Sequence, residues 1–267
     1  MTDPLDPARG ASPQGRSWLA NEQLLRLASV AVVLVLWEIV GRPNAALITY
    51  PTAVLQAAWE VLVVERELLE AFGESLYGYV IGYAAAMFLG AGLGFLMGHA
   101  RSIDIALLPY VNSLYATPRI ALIPLLVLWV GIGFGLRVTI VLLSAVFPII
   151  ITVREGSRRV ASEYIDVARS FVANGWQMWR TVVLPGSLPY LFSALRIGAQ
   201  RSLIGIVVAE SLAAVTGTGR MILRYGQFFQ TDRLLVPILV IGFFSIFMTA
   251  AINRLQRRVA PWQRRGR

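Results

Sequence analysis

The chain has 267 residues, of which 57% are hydrophobic and 15% charged, with a formal net charge of +9 and a mean hydropathy of +0.65. A soluble domain of this size cannot hide so much apolar surface, so the bilayer is its solvent. The chain contains no Cys, and every residue counted as Lys or Arg is Arg; this excludes a disulfide framework, thiol chemistry, a P-loop lysine and a Schiff-base lysine. If ATP drives this protein, another polypeptide hydrolyses it.

In chain order, residues 1–22 form a polar tail with Pro4, Pro7 and Pro13. The first apolar run, 24–40, is followed by no small-residue cleavage site and reads as an uncleaved anchor. Further spans are expected over 76–97, 105–130, 138–153, 188–209 and 235–252, each close to the roughly 20 residues needed to cross the hydrocarbon. The fold class is therefore an all-α membrane protein with six transmembrane helices. The chain divides into the tail, a first helix and loop over 23–67, a five-helix core over 68–256 and a basic tail over 257–267.

The second span carries Gly82, Ala86, Gly90, Gly94 and Gly98, a small residue at every fourth position. Such a stripe lets helix backbones approach closely, within one core or across a dimer. The third span contains Pro109, Pro118 and Pro124, so its helix must kink or break. Backbone groups freed at membrane depth are tolerated only where protein or a wet cavity covers them. That leaves two readings of this span, a wall of the transport pathway or a packing kink.

Orientation follows from the arginines. With the N-terminus in the cytoplasm, that side receives Arg9, Arg16, Arg101, Arg154, Arg158, Arg159, Arg169 and Arg180, and the tail cluster Arg254, Arg257, Arg258, Arg264, Arg265 and Arg267. The opposite side receives Arg42, Arg66, Arg137, Arg220, Arg224 and Arg233, and its first loop is acidic, with Glu60, Glu65, Glu67, Glu70 and Glu74. The net charge thus reflects topology, and the basic tail suits anionic lipid.

Between the fourth and fifth spans lies a polar helical insert within a loop over 154–187. Tyr164, Ile165, Ala168, Phe171 and Val172 fall on one helical face, and Asp166, Arg169 and Ser170 point away. Asn174-Gly175 is a stop-and-restart signal, and Leu184-Pro185 is expected to end a second short helix.

Four charges lie within or at the end of apolar runs: Arg119, Arg196, Arg201 and Glu210. Such residues mark pathways or pairings. Two readings are open: a positive potential for an anion in transit, or snorkelling and structural pairing. His99, the single His, has no Cys or carboxylate cluster beside it, so no metal site is expected. Gly217-Thr218-Gly219 lacks a preceding strand and a third Gly and reads as a turn into a surface helix.

The insert Glu163–Pro189 resembles the EAA loop of permease subunits of bacterial ABC importers. That pattern runs Glu-Ala-Ala, three residues, Gly, nine residues, Ile, one residue, Leu-Pro. Asp166-Val167-Ala168 stands for the triplet, Val182 takes the Ile place, and Leu184-Pro185 keeps the spacing. Asp166 replaces the Glu, and Val172 replaces the Gly, with Gly175 three residues later, so the turn is expected to shift. Further strings are similar to the nitrate, sulfonate, taurine and bicarbonate branch: 47–54 around Tyr50-Pro51-Thr52, 117–125 around Thr117-Pro118-Arg119, Trp129-Val130-Gly131-Ile132-Gly133, Phe147-Pro148-Ile149, Leu195-Arg196-Ile197-Gly198, Val207-Val208-Ala209-Glu210 and Gly217-Thr218-Gly219.

The resemblance implies a type I importer permease fold whose insert is a coupling helix. Its ATPase contacts would be Tyr164, Ile165, Asp166, Ala168, Arg169, Phe171, Val172 and Gly175. The implied pathway residues are Arg119, Arg196, Arg201 and Glu210. The implied partners are two ABC ATPase subunits, a second permease copy in a homodimer and an extracytoplasmic solute-binding protein. No cofactor is implied, and the implied location is the bacterial inner membrane with both termini cytoplasmic. The branch carries small anions such as nitrate, sulfonates, taurine and bicarbonate, but also neutral heterocycles and vitamin precursors. The competing class, an ion-gradient-driven carrier or channel, would call for mid-membrane carboxylates and repeated halves.

Overall fold

The computed structural model describes residues 15–44, 48–160, 162–213 and 216–262. The expectations resting on Pro4, Pro7, Pro13, Arg9, Leu47, Arg264, Arg265 and Arg267, and on the side chain of Arg16, lie outside the described residues. Helices account for each expected span and run beyond the apolar windows at both ends, except that the third ends where its window does, at Val130. They are α1 (Gly15–Gly41), α3 (Glu67–His99), α6 (Phe134–Arg158), α9 (Leu184–Ala213) and α11 (Thr231–Val259), with the remaining span built from α4 (Arg101–Ala116) and α5 (Arg119–Val130). Among the described residues, five helices are long and apolar enough to cross a membrane, or six if the α4–α5 pair is one broken span. That pair is bent by 99° at Thr117-Pro118. The cause is local: Thr117 precedes a proline and is extended, with ψ 130°.

The core is α3, α6 and α9, with α6 the most covered: Ile140, Val141, Ala145, Ile149 and Val153 are all buried. The stripe of small residues on α3 faces α6, which places its role within one chain. A Cβ on Gly82 would sit 2.7 Å from that of Val141, and one on Gly90 would sit 2.8 Å from the Ile149 side chain. Backbone thus meets side chain with no intervening layer.

α1 stands off this core, with Leu24, Val33 and Ile39 exposed on all sides, as a helix solvated by lipid requires. Its far end is fastened by two contacts. The Trp37 indole N–H donates to the Thr49 carbonyl at 2.7 Å, and Glu38 accepts the Thr52 N–H at 3.1 Å and its hydroxyl at 2.7 Å. Thr52 lies in a short helix that was expected to be loop, α2 (Pro51–Trp59), extended by a π turn over Glu60–Val64. Pro51 pre-sets its first turn, and Val54, Ala57 and Val61 bury against Met221, Tyr225 and Val236.

The insert forms α7 (Ser162–Ser170) and, after a turn, α8 (Gly175–Met178). The restart is as expected: Asn174 caps α8 in a reciprocal capping box with Gln177. Two expectations are corrected. The left-handed residue of the turn is Val172 itself, with φ 54°, so the turn keeps the family's glycine position and does not move to Gly175. The second helix does not end at Leu184-Pro185. It passes through a π turn, Trp179–Val183, directly into α9. The Leu184 N–H reaches back five residues to Trp179 O, and the wider turn carries the helix past the ring of Pro185.

Candidate translocation and coupling sites

The break between α4 and α5 opens a cleft of about 350 Å³ against α6 and α9. Its charged lining residues are Arg119, the first residue of α5, and Arg201, close to the middle of α9. Ile123, Ile140 and Ile204 supply apolar wall, and Thr117 and Ser144 supply hydroxyls. Arg119 lies 5.6 Å from the centre of the Tyr115 ring and donates to the Ser144 carbonyl at 3.5 Å, while its Nε is buried without a partner. Non-helical backbone at this depth is tolerated because it borders a cavity.

The other two charges picked out by sequence sit elsewhere. Arg196 turns to α11, donating to Asn253 Oδ1 at 2.9 Å and to Gln256 Oε1. Glu210 is wholly buried at the end of the bundle remote from α7, beside α10 (Thr218–Gln227). Its Oε2 accepts the Ser75 hydroxyl at 2.8 Å and the Gly219 N–H at 2.9 Å, and its Oε1 lies 4.0 Å from an Arg137 nitrogen. A carboxylate at a helix N-terminus meets unsatisfied N–H groups and the positive end of the dipole. Gly217-Thr218-Gly219 is a turn into a helix, as expected, and it is shaped to Glu210. A Cβ on Gly217, whose φ is 104°, would overlap the carboxyl group.

Sequence reasoning did not anticipate Ser75, Arg137 and Thr216 as the partners completing this lock. Arg137 donates to the Thr216 hydroxyl at 2.5 Å and lies 3.5 Å from Glu74. Nearby, Arg224 and the Tyr225 hydroxyl both reach Glu67, at 2.6 and 3.1 Å. Burial, with Glu67 beside it, raises the Tyr225 phenol above its ordinary range. Asp104 was also missed: this buried acid of α4 binds Arg154 and Arg158 of α6. A lone carboxylate in an apolar helix was the available signal.

At the other end of the bundle, α7 carries exposed Tyr164 and Val167, an apolar stripe continued by Phe171, Val172 and Trp176. Phe171 and Val172 are 82% and 89% exposed. Ile165 and Ala168 are half-buried, so the open stripe is rotated from the face expected, and Val167 belongs to it. Asp166 and Arg169 are exposed and 3.5 Å apart, and Gly175 opens α8. Trp176 stacks on Trp179, which meets Phe95 of α3 edge-on.

Residues 78–265 match the family described as "Binding-protein-dependent transport system inner membrane component". The taurine transport system permease protein TauC of Escherichia coli is 28% identical over 251 residues, covering 91% of each chain. The nitrate import permease protein NrtB of Synechocystis sp. is 25% identical over 266 residues, covering 96% of each. In fold, the chain is similar to a solved inward-facing form of the MetNI methionine ABC transporter, with a TM-score of 0.66 over 73% of this chain and 97% of that one, at 20% identity. The family match runs from within the second span to the end of the sixth and takes in the cleft and the insert, and with it the chain belongs to the inner-membrane components of binding-protein-dependent transport systems, the multi-pass permease subunits of ABC importers that leave ATP hydrolysis to a separate ATPase.

Proposed function

We propose that this permease imports a small polar anion through the cleft beside Arg119 and Arg201, driven by ATPase subunits that dock on α7. The observation that carries the reading is the cleft itself: the helix break opens it near the middle of the span, and its charged lining residues are both positive. The names of similar proteins, a taurine and a nitrate permease, point to solutes that each carry an oxyanion group. Arg196 and Glu210 are left out of the proposed pathway, because each is committed to structural partners.

In this reading α7 faces the cytoplasm with both termini, and α10 lies at the opposite surface, where a solute-binding protein delivers its cargo. One chain supplies one docking stripe, so a homodimer over two ATPase subunits completes the importer. The stripe of Tyr164, Val167, Phe171, Val172 and Trp176 would bury its apolar area on the ATPase, with Asp166 and Arg169 at the rim. The test is uptake into vesicles carrying permease, ATPase and binding protein. ATP-dependent accumulation of taurine or nitrate is the expected result, and delivery of a cation or a sugar by the binding protein would overturn the anion reading.

A further inference from the structure

Most charges in this bundle are answered. Arg137 meets Glu74 and Glu210, Arg154 and Arg158 meet Asp104, and Arg196 meets two side-chain amides. The cleft residues differ. No carboxylate is among the residues lining the cleft, and among the described residues neither Arg119 nor Arg201 has an acidic partner. The two guanidinium groups line the same cleft. The Arg119 Nε–H is shielded from solvent with nothing accepting it, and the one carbonyl it reaches through Nη1 is long at 3.5 Å. A guanidinium cannot escape such a site by losing its proton, and an unanswered buried donor is costly. Arg119 is half-buried with its Nε–H unanswered, and Arg201 is open to the same cleft, so the pair presents two like charges to a counter-charge from outside the chain.

We infer that the cleft is a resident anion subsite of the permease, built to hold one small oxyanion between Arg119 and Arg201 with or without the binding protein. This rests on the reading of the cleft as the pathway and adds a selection step to it. Guanidinium groups present paired N–H donors that match the oxygens of nitrate, carboxylate or sulfonate. The N–H groups opening α5, which no side chain caps, add positive potential on the same side. A neutral molecule of the same shape would leave both charges unanswered, and a cation would add a third. The permease thus rejects by charge what a binding protein selects by shape.

The experiment uses the purified permease–ATPase complex without binding protein, in sodium gluconate at constant ionic strength. Its probes are methanesulfonate and the uncharged isostere methanesulfonamide. The expected result is a saturable rise in unfolding temperature with methanesulfonate and none with methanesulfonamide, lost in both Arg119→Gln and Arg201→Gln. Equal response of the wild-type complex to the two probes overturns the subsite, and that arm needs no variant to fold. An unchanged methanesulfonate response in a folded Arg201→Gln complex overturns it too. Failure of the anion-import reading looks different: a binding protein delivering a neutral solute would leave the charge-selective response intact.

Discussion

The Asp104 carboxylate of α4 holds the Arg154 guanidinium of α6 through both of its oxygens, one at 2.7 Å, and shares its second oxygen with Arg158. Asp104 is 4% exposed. This clamp fixes the near half of a broken span to the central helix, leaving the far half, α5, to border the cleft. Asp104→Asn should cost about 1.5–3 kcal/mol, because it gives up charge-assisted hydrogen bonds at a buried site while water still reaches the two arginines left behind. Denaturant or thermal unfolding of the detergent-solubilised protein measures the loss, and a cost under 1 kcal/mol, on the order of an exposed pair, would contradict the clamp.

Gly217→Ala should disrupt the end of the bundle at α10. The substitution adds a Cβ where the Glu210 carboxyl already sits, at a φ of 104° that side chains rarely adopt. A loss of about 2 kcal/mol or more is expected. Glu210→Gln, which keeps an acceptor for Gly219 but gives up the charge facing Arg137, should lose less than Glu210→Ala. Hydrogen exchange of the α10 amides reads both effects locally.

Val172→Gly separates the turn from the contact it presents. A β-branched residue at φ 54° carries about 1–2 kcal/mol of steric cost, part of which glycine returns as backbone entropy. The turn between α7 and α8 should therefore become more protected in hydrogen exchange. If the exposed Val172 side chain is part of the docking face, ATPase affinity should fall in the same variant.

Phe171→Glu should leave the isolated permease as stable as before, since the side chain is 82% exposed. Docked, it would bury an unpaired charge, and affinity for the ATPase should fall at least about tenfold. Co-purification and solute-stimulated ATP hydrolysis check this, and an unaffected complex would remove α7 as the docking element.

Topology is testable without background, because the chain has no native Cys. Single cysteines at Ser170 in α7 and at Phe228 beyond α10 should label from opposite faces of the membrane. Labelling of both from one side would invert or break the proposed arrangement.

The spans were legible because lipid demands long apolar runs, and the third span's break was legible because Pro118 forbids a continuous helix. What stayed hidden shares one physical cause, distance along the chain. Glu210 is 135 positions from Ser75, and Asp104 is 50 from Arg154. No local pattern says which arginine meets a carboxylate and which meets open cleft, so Arg196 and Arg201 looked alike in sequence although one is tied to α11. α2 was missed because an alanine-rich stretch of nine residues is too short to span and shows its apolar face only against α10 and α11. The continuation past Pro185 was missed because a π turn leaves no signature in residue type.

That continuation has a mechanical consequence. From Gly175 to Ala213 the backbone is one uninterrupted rod of 39 residues. Trp176 lies in its first turn and Arg201 is 25 residues further on, roughly 38 Å at the usual rise. A push on the surface beside α7 reaches the cleft along a single stiff axis, with no intervening loop to absorb it. The π turn at Trp179–Val183 and the ring of Pro189 both depart from the regular hydrogen-bond ladder of that axis, so the gearing between motor stroke and cleft opening should be set between them, close to where force enters.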